Sequence, residues 1–215
     1  MSFSLILSSL PILFRGLLVT LLLSIGSIAG GTIIGLIAAT LRASRIPVGS
    51  QVARAYVEIF RGSPLLITLL FVYYGVAYAG YDMNVLVAAI IGISIYHGAY
   101  IAEIIRGGIE AVPHGQWEAA RILGLSNSKT FTFVILPQTR KLVLPPLIGQ
   151  YIGLVKDTSL AFIIGLAELT RQGQSIIDRV GQPVLIYFLV AIIYFIICYP
   201  LSLWVRSMEK RSSFA

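Results

Sequence analysis

Five long apolar stretches, each nearly free of charge, alternate with shorter segments in which polar and basic residues collect. The apolar stretches cover 17–41, 65–78, 85–105, 142–166 and 184–205. A helix that crosses a bilayer needs about 20 mostly apolar residues, so the pattern predicts an all-α integral membrane protein with five transmembrane helices. The second stretch is short. The segment before it, VARAYVEIFRGSPLL, has the spacing of an amphipathic helix that turns at Gly62 and Pro64 into the span. Pro11 and Arg15 suggest a short interfacial helix ahead of the first span. With no repeat, low-complexity tail or Gly/Ser linker in view, residues 1–215 read as a single transmembrane domain.

Composition agrees with the pattern. The chain is 57% hydrophobic and only 12% charged, with a mean hydropathy of +0.90, well beyond what a water-soluble core requires. A single cysteine, Cys198, leaves no disulfide framework or cysteine metal cluster within one chain. The net charge of +7 is spread over the connections rather than along a basic stripe, so it reports membrane orientation and not nucleic-acid binding.

Basic residues mark the cytoplasmic side. They gather in the first connection (Arg42, Arg45, Arg54, Arg61), in the third (Arg106, Arg121, Lys129, Arg140, Lys141) and at the C-terminus (Arg206, Lys210, Arg211). The connection at Tyr81 and Asp82 has none, and in the one over 168–182 Glu168 and Asp178 offset Arg171 and Arg179. Five spans then put the N-terminus outside and the C-terminus in the cytoplasm. Phe71, Tyr73, Tyr74 and Tyr78 read as an aromatic belt near the outer surface.

The third connection, 106–141, is too long for a turn and too ordered in composition for a disordered segment. Pro113 and Gly115 break the preceding helix, residues 116–123 favour a helix of about two turns, and Gly124 is a natural left-handed stop. Glu118 falls in the expected first turn with Arg121 three residues on, and Ala119 and Ala120 leave a bare surface for a partner. A helix this short does not stand alone in water, so something must grip it.

Glu118-Ala119-Ala120, three residues, Gly124, nine residues, Val134, one residue and Leu136-Pro137 resemble the signature of the membrane subunits of bacterial ABC importers, with valine where isoleucine is usual. The stretches VEIFRGSPLLITLLFVYYG, GAYIAEIIRGGIEAVPHGQWEAARILGLS and GLVKDTSLAFIIGLAELTRQGQ extend the resemblance to permeases of the polar amino acid uptake family, which takes up histidine, glutamate, glutamine, arginine and opines. It implies a multi-pass protein of the bacterial inner membrane whose coupling helix, through Trp117, Glu118, Ala119, Ala120, Arg121 and Gly124, docks on a cytoplasmic ATPase dimer. It also implies a second permease, identical or paralogous, and an extracytoplasmic amino-acid-binding protein. This chain has no GxxxxGK[ST] phosphate loop, so it is not expected to be an enzyme or to bind a cofactor. ATP and Mg²⁺ would sit on the partner ATPase.

Lys156 and Asp157 interrupt the fourth apolar stretch, where a centred charge costs about 2.5 to 3.5 kcal/mol. Helical neighbours point about 100° apart, so the two cannot pair face to face. Pro145 and Pro146 are expected to kink this span, and Thr158 and Ser159 to satisfy freed carbonyls or meet substrate. Lys156, Asp157, Ser159, Glu103 and His97 are the candidates for the substrate path, with Lys156 drawing the substrate's α-carboxylate. A scaffold role is the competing reading: Glu103 with Arg106, and Glu58 with Arg54 or Arg61, are spaced for local salt bridges. Glu103 could alternatively face Lys156 or a cationic substrate. With two histidines in the chain, His97 and His114, no metal set is expected. A secondary, proton- or ion-coupled carrier is the functional alternative, although five spans do not split into two equal repeats. A membrane anchor for a cytoplasmic enzyme would leave the intramembrane charges without a purpose.

Overall fold

The computed structural model describes residues 2–43 and 46–212; Arg45 lies outside the described residues, as do the side chains of Lys210 and Arg211. Nine α-helices are described, joined in places by tighter or wider turns: α1 (Ser2–Ala43), α2 (Pro47–Gly62), α3 (Leu65–Tyr78), α4 (Val85–Glu110), α5 (His114–Ile122), α6 (Asn127–Thr130), α7 (Leu136–Asp157), α8 (Leu169–Val180) and α9 (Pro183–Ser212). A π turn over Phe131–Ile135 joins α6 to α7, and a 3-10 stretch over Thr158–Ile164 follows α7.

Among the described residues, four helical segments are long and apolar enough to cross a membrane: Ser9–Ala43, Val85–Glu110, Asn127–Ile164 and Pro183–Glu209. α3 alone has 14 residues, about 21 Å at 1.5 Å per residue and short of a bilayer core of about 30 Å. It reaches the length and hydropathy of a fifth span when the residues ahead of it are counted, and it is bent by 111° from α2. The bend falls where the sequence places it. Ser63 is extended because Pro64 disfavours helical geometry in the residue before it.

Two expectations need correction. No separate interfacial helix precedes the first span, since α1 runs through Pro11 as one element. Within an N-terminal helix, a single proline costs one hydrogen bond that the rest of a 42-residue apolar helix easily outweighs. The helix that carries the fourth span begins well before residue 142, because the helical run from Asn127 has no glycine until Gly149 to stop it. A π turn interrupts it, where the wider winding accommodates the missing N–H and the ring of Pro137, and α7 remains helical through Pro145 and Pro146. The 168–182 connection folds largely as the amphipathic helix α8.

α4 is the most enclosed of the spans and packs along α1. Contact is close because Gly31 and Gly35 of α1 face Ser94, Gly98 and Ile101 of α4; small residues let membrane helices approach where no hydrophobic force between them exists. Leu23, Leu69, Ile93, Leu154 and Ala161 close the central core. Leu18, Leu22, Ile25, Ile33 and Leu36 form an exposed apolar stripe on α1, and Phe188, Phe195 and Ile196 another on α9, the faces a lipid solvent would cover. Phe71, Tyr74 and Tyr78 are exposed on α3, whereas Tyr73 packs against the core.

Glu168 is fully buried. It caps α8, its carboxylate accepting the N–H groups of Thr170 and Arg171, each at 2.8 Å, and the Tyr194 hydroxyl at 3.2 Å. It therefore does not offset Arg171 from a loop, and burial raises its pKa above the ordinary carboxylate value.

Candidate functional site

Two places hold the residues singled out by the sequence. The first is α5. Its C-terminal end closes as a Schellman motif: Leu125 N–H donates to Ala120 O at 3.1 Å and Gly124 N–H to Arg121 O at 2.9 Å. Gly124 takes φ +77°, which only glycine adopts freely. One side of the helix is anchored to its own chain. Ala120 is buried, Trp117 half-buried, and Gln138 of α7 donates to Gln116 Oε1 at 3.3 Å.

The remaining face is open. Ile122 and Leu123 are 87% and 79% exposed, and Glu118, Ala119, Arg121 and Gly124 are exposed beside them. The bare surface expected of both alanines is thus offered by Ala119 alone. Glu118 lies in the second turn, since α5 begins at His114, and its nearest ionic neighbour is His114 at 3.8 Å rather than Arg121. Ile122 and Leu123 were not among the sequence candidates, because within an apolar chain their hydrophobicity carries no signal until their exposure is known.

The second place is the junction between α7 and the 3-10 stretch. Asp157 Oδ2 lies 3.2 Å from His97 Nε2 on α4, without the alignment of a hydrogen bond. Gln150 Nε2 lies 2.7 Å from His97 Nδ1, so the amide can donate and leave the ring proton on the nitrogen that faces Asp157. His97 is buried and Asp157 42% exposed at its side chain. Tyr96 stands edge-on to His97 at 5.4 Å and shares a 3.1 Å hydroxyl contact with Tyr100. Gln150 had a readable signal: it precedes Asp157 by seven residues, two helical turns, and so shares its face.

Lys156 points elsewhere. It is exposed, and with Ser159 it lines a cavity of about 450 Å³ toward α9, beside Tyr194, Cys198, Tyr199 and Ser202. Thr158 donates to Val155 O at 2.7 Å, as expected of a hydroxyl at a helix break. Glu103 joins neither group. It contacts Arg42 at 2.7 Å, Arg61 at 3.5 Å and its helical neighbour Arg106, which also pairs with Glu110. The structure therefore sets Glu103 in a charge hub that ties α1, α2 and α4, and not opposite Lys156. Glu58 is exposed and makes no ion pair among the described residues, against the local pairing expected for it.

Apolar helices of bilayer length that enclose a His–Gln–Asp cluster define a multi-pass membrane protein with a polar interior. Residues 31–214 match the family described as Binding-protein-dependent transport system inner membrane component. The chain is 40% identical over 205 residues to the glutamine transport system permease protein GlnP of Escherichia coli (strain K12), covering 94% of each. It is 42% identical over 202 residues to the L-cystine transport system permease protein TcyB of Bacillus subtilis (strain 168), covering 94% of this chain and 86% of that one. It superposes with TM-score 0.91 on a chain of a crystal structure of an amino acid ABC transporter with histidines, at 35% identity and 96% coverage of both. A chain of the MetNI methionine ABC transporter, at TM-score 0.71 and 23% identity over 92% of this chain and 96% of that one, shares the fold. This chain belongs to the family of binding-protein-dependent transport system inner membrane components.

Proposed function

We propose that the chain is the permease half of an ATP-driven importer of polar amino acids, lying in a bacterial inner membrane with its N-terminus outside and its C-terminus in the cytoplasm. The exposure of Ile122 and Leu123 carries this reading. Two large apolar side chains at the end of a nine-residue helix, held out from a membrane protein by a closed Schellman turn, are built to enter a groove on another protein. A cytoplasmic ATPase dimer is the partner proposed, carrying ATP and Mg²⁺, gripping Trp117, Glu118, Ala119, Arg121 and Gly124 along with the apolar pair. Ala120 acts from the inner side, seating the helix on the permease so that a push on it reaches α7.

The substrate path runs past the α7 junction, between this chain and a second permease, identical or paralogous, and is fed by an extracytoplasmic binding protein. The similarity to glutamine, cystine and other amino acid permeases supports an amino acid cargo. Lys156 with Ser159 attracts the α-carboxylate from the cavity toward α9, and Asp157, positioned by His97 and Gln150, meets the α-ammonium group. Glu103 holds the helices together at a distance from the cargo.

Reconstitution of the chain and its co-purifying partners into vesicles tests the reading. Uptake of a labelled amino acid should need ATP and the binding protein and should ignore a proton gradient. Uptake driven by the gradient without ATP would refute it.

A further inference from the structure

Beside the charge hub lies a cavity of about 280 Å³ whose lining includes Arg42, Ser50, Arg54, Arg106 and Glu110. We propose that this cavity binds a phosphate-bearing anion, supplied as the headgroup of an anionic phospholipid from the leaflet that adjoins the ends of α1 and α4. The proposal stands independently of the cargo assigned above.

The cavity carries more positive than negative charge. Three guanidinium groups reach it from three helices. Its one carboxylate, Glu110, is already engaged by Arg106, and Glu103 behind it holds Arg42. Arg54 has no carboxylate partner among the described residues. Guanidinium forks match phosphate oxygens bidentately, and the Ser50 hydroxyl adds a further polar group on the same wall. Ala39, Ala43 and Ile109 leave an apolar side for the glycerol stem.

The placement of α2 points to a lipid. Arg54, Glu58 and Arg61 on 16 residues keep this helix out of the hydrocarbon, and the 111° bend lays it across the direction of α3. Val48, Val52 and Ile59 fall on one side of it and are all exposed, while Ala53 and Val57 face the bundle. A helix with a buried face, an exposed apolar stripe and a basic flank lies in the membrane interface. The cavity, roofed by this helix, opens at headgroup level.

The test uses the full-length chain, extracted from its membrane with its bound partners and placed in nanodiscs of phosphatidylcholine and phosphatidylglycerol. Native mass spectrometry then counts the lipids retained. The wild type should keep phosphatidylglycerol over phosphatidylcholine, and Arg54→Gln should lose about fivefold of that preference, the factor corresponding to about 1 kcal/mol per basic residue. Arg54→Lys, which keeps the charge but not the fork, should fall between the wild type and Arg54→Gln, which separates charge from bidentate geometry. Because Arg54 has no ion pair among the described residues, its replacement leaves the hub intact, and an unchanged melting temperature checks this. A parallel dialysis with inorganic phosphate distinguishes the sources. Arg54-dependent phosphate binding without lipid preference would support the anion site and move its ligand to solution. Retention of lipid and phosphate indifferent to Arg54 would overturn the proposal.

Discussion

His97 Nε2 stands 3.2 Å from the Asp157 carboxylate, and Gln150 holds the other ring nitrogen at 2.7 Å. The three groups come from two helices, α4 and α7, so the cluster joins them where α7 tightens into its 3-10 end.

Replacing His97 by Leu strands the Gln150 amide and frees Asp157 to rotate. A buried polar group left unpaired costs about 1 to 3 kcal/mol, so the variant should melt earlier and lose uptake. Asp157→Asn keeps the shape and removes the charge. It should fold like the wild type and lower uptake by tenfold or so, the factor that corresponds to about 1.4 kcal/mol of lost interaction.

Lys156→Ala, tested in a complex that stays assembled, should weaken uptake chiefly by raising the substrate concentration needed for half-maximal rate. Lys156→Arg should restore part of it. Unchanged transport and unchanged substrate dependence in the alanine variant would remove Lys156 from the path.

Glu103→Gln leaves Arg42, Arg61 and Arg106 facing one another without their shared carboxylate. The loss should destabilise the chain by about 1 to 3 kcal/mol, read as a lower melting temperature in detergent. Substrate selectivity should not change, since the hub does not join the His97 cluster.

Burial raises the folded-state pKa of Glu168. A raised acid binds its proton more tightly in the folded chain, so stability falls as pH rises from the ordinary carboxylate pKa through the raised value. Thermal melts of the wild type should show this slope, and melts of Glu168→Gln should be flatter over the same window.

Gly35→Ala places a methyl 2.6 Å from Ile101 Cγ2 and 3.1 Å from the Gly98 carbonyl oxygen. α1 and α4 must separate to admit it, and overpacking of this kind costs about 1 to 3 kcal/mol. Gly75→Ala, in open space, is the control.

Hydropathy revealed the spans because a bilayer tolerates only long apolar helices, and the Ser63-Pro64 bend and the Gly124 stop were readable because each is a local backbone constraint. What escaped was tertiary. The partners of Glu103 lie 61 and 42 positions away on α1 and α2 as well as on its own turn, and no local spacing could name Arg42. Glu168 read as a surface charge because its burial and its Tyr194 contact arise only once α8 docks on α1 and α9, whereas its cap of α8 is local. The extra helix before residue 142 was hidden because Arg140 and Lys141 lower the hydropathy without breaking the backbone.

The most direct test of the account is to extract the tagged chain from its native membrane and identify what comes with it. The account predicts an ATPase in the eluate, lost when Glu118 and Leu123 are both replaced by Arg and reduced in Gly124→Val, where a side chain at φ +77° costs about 1 to 2 kcal/mol. Mass spectrometry of the same eluate shows whether the second permease is an identical chain. A chain recovered alone, still carrying an amino acid under a proton gradient in vesicles without ATP, would contradict it.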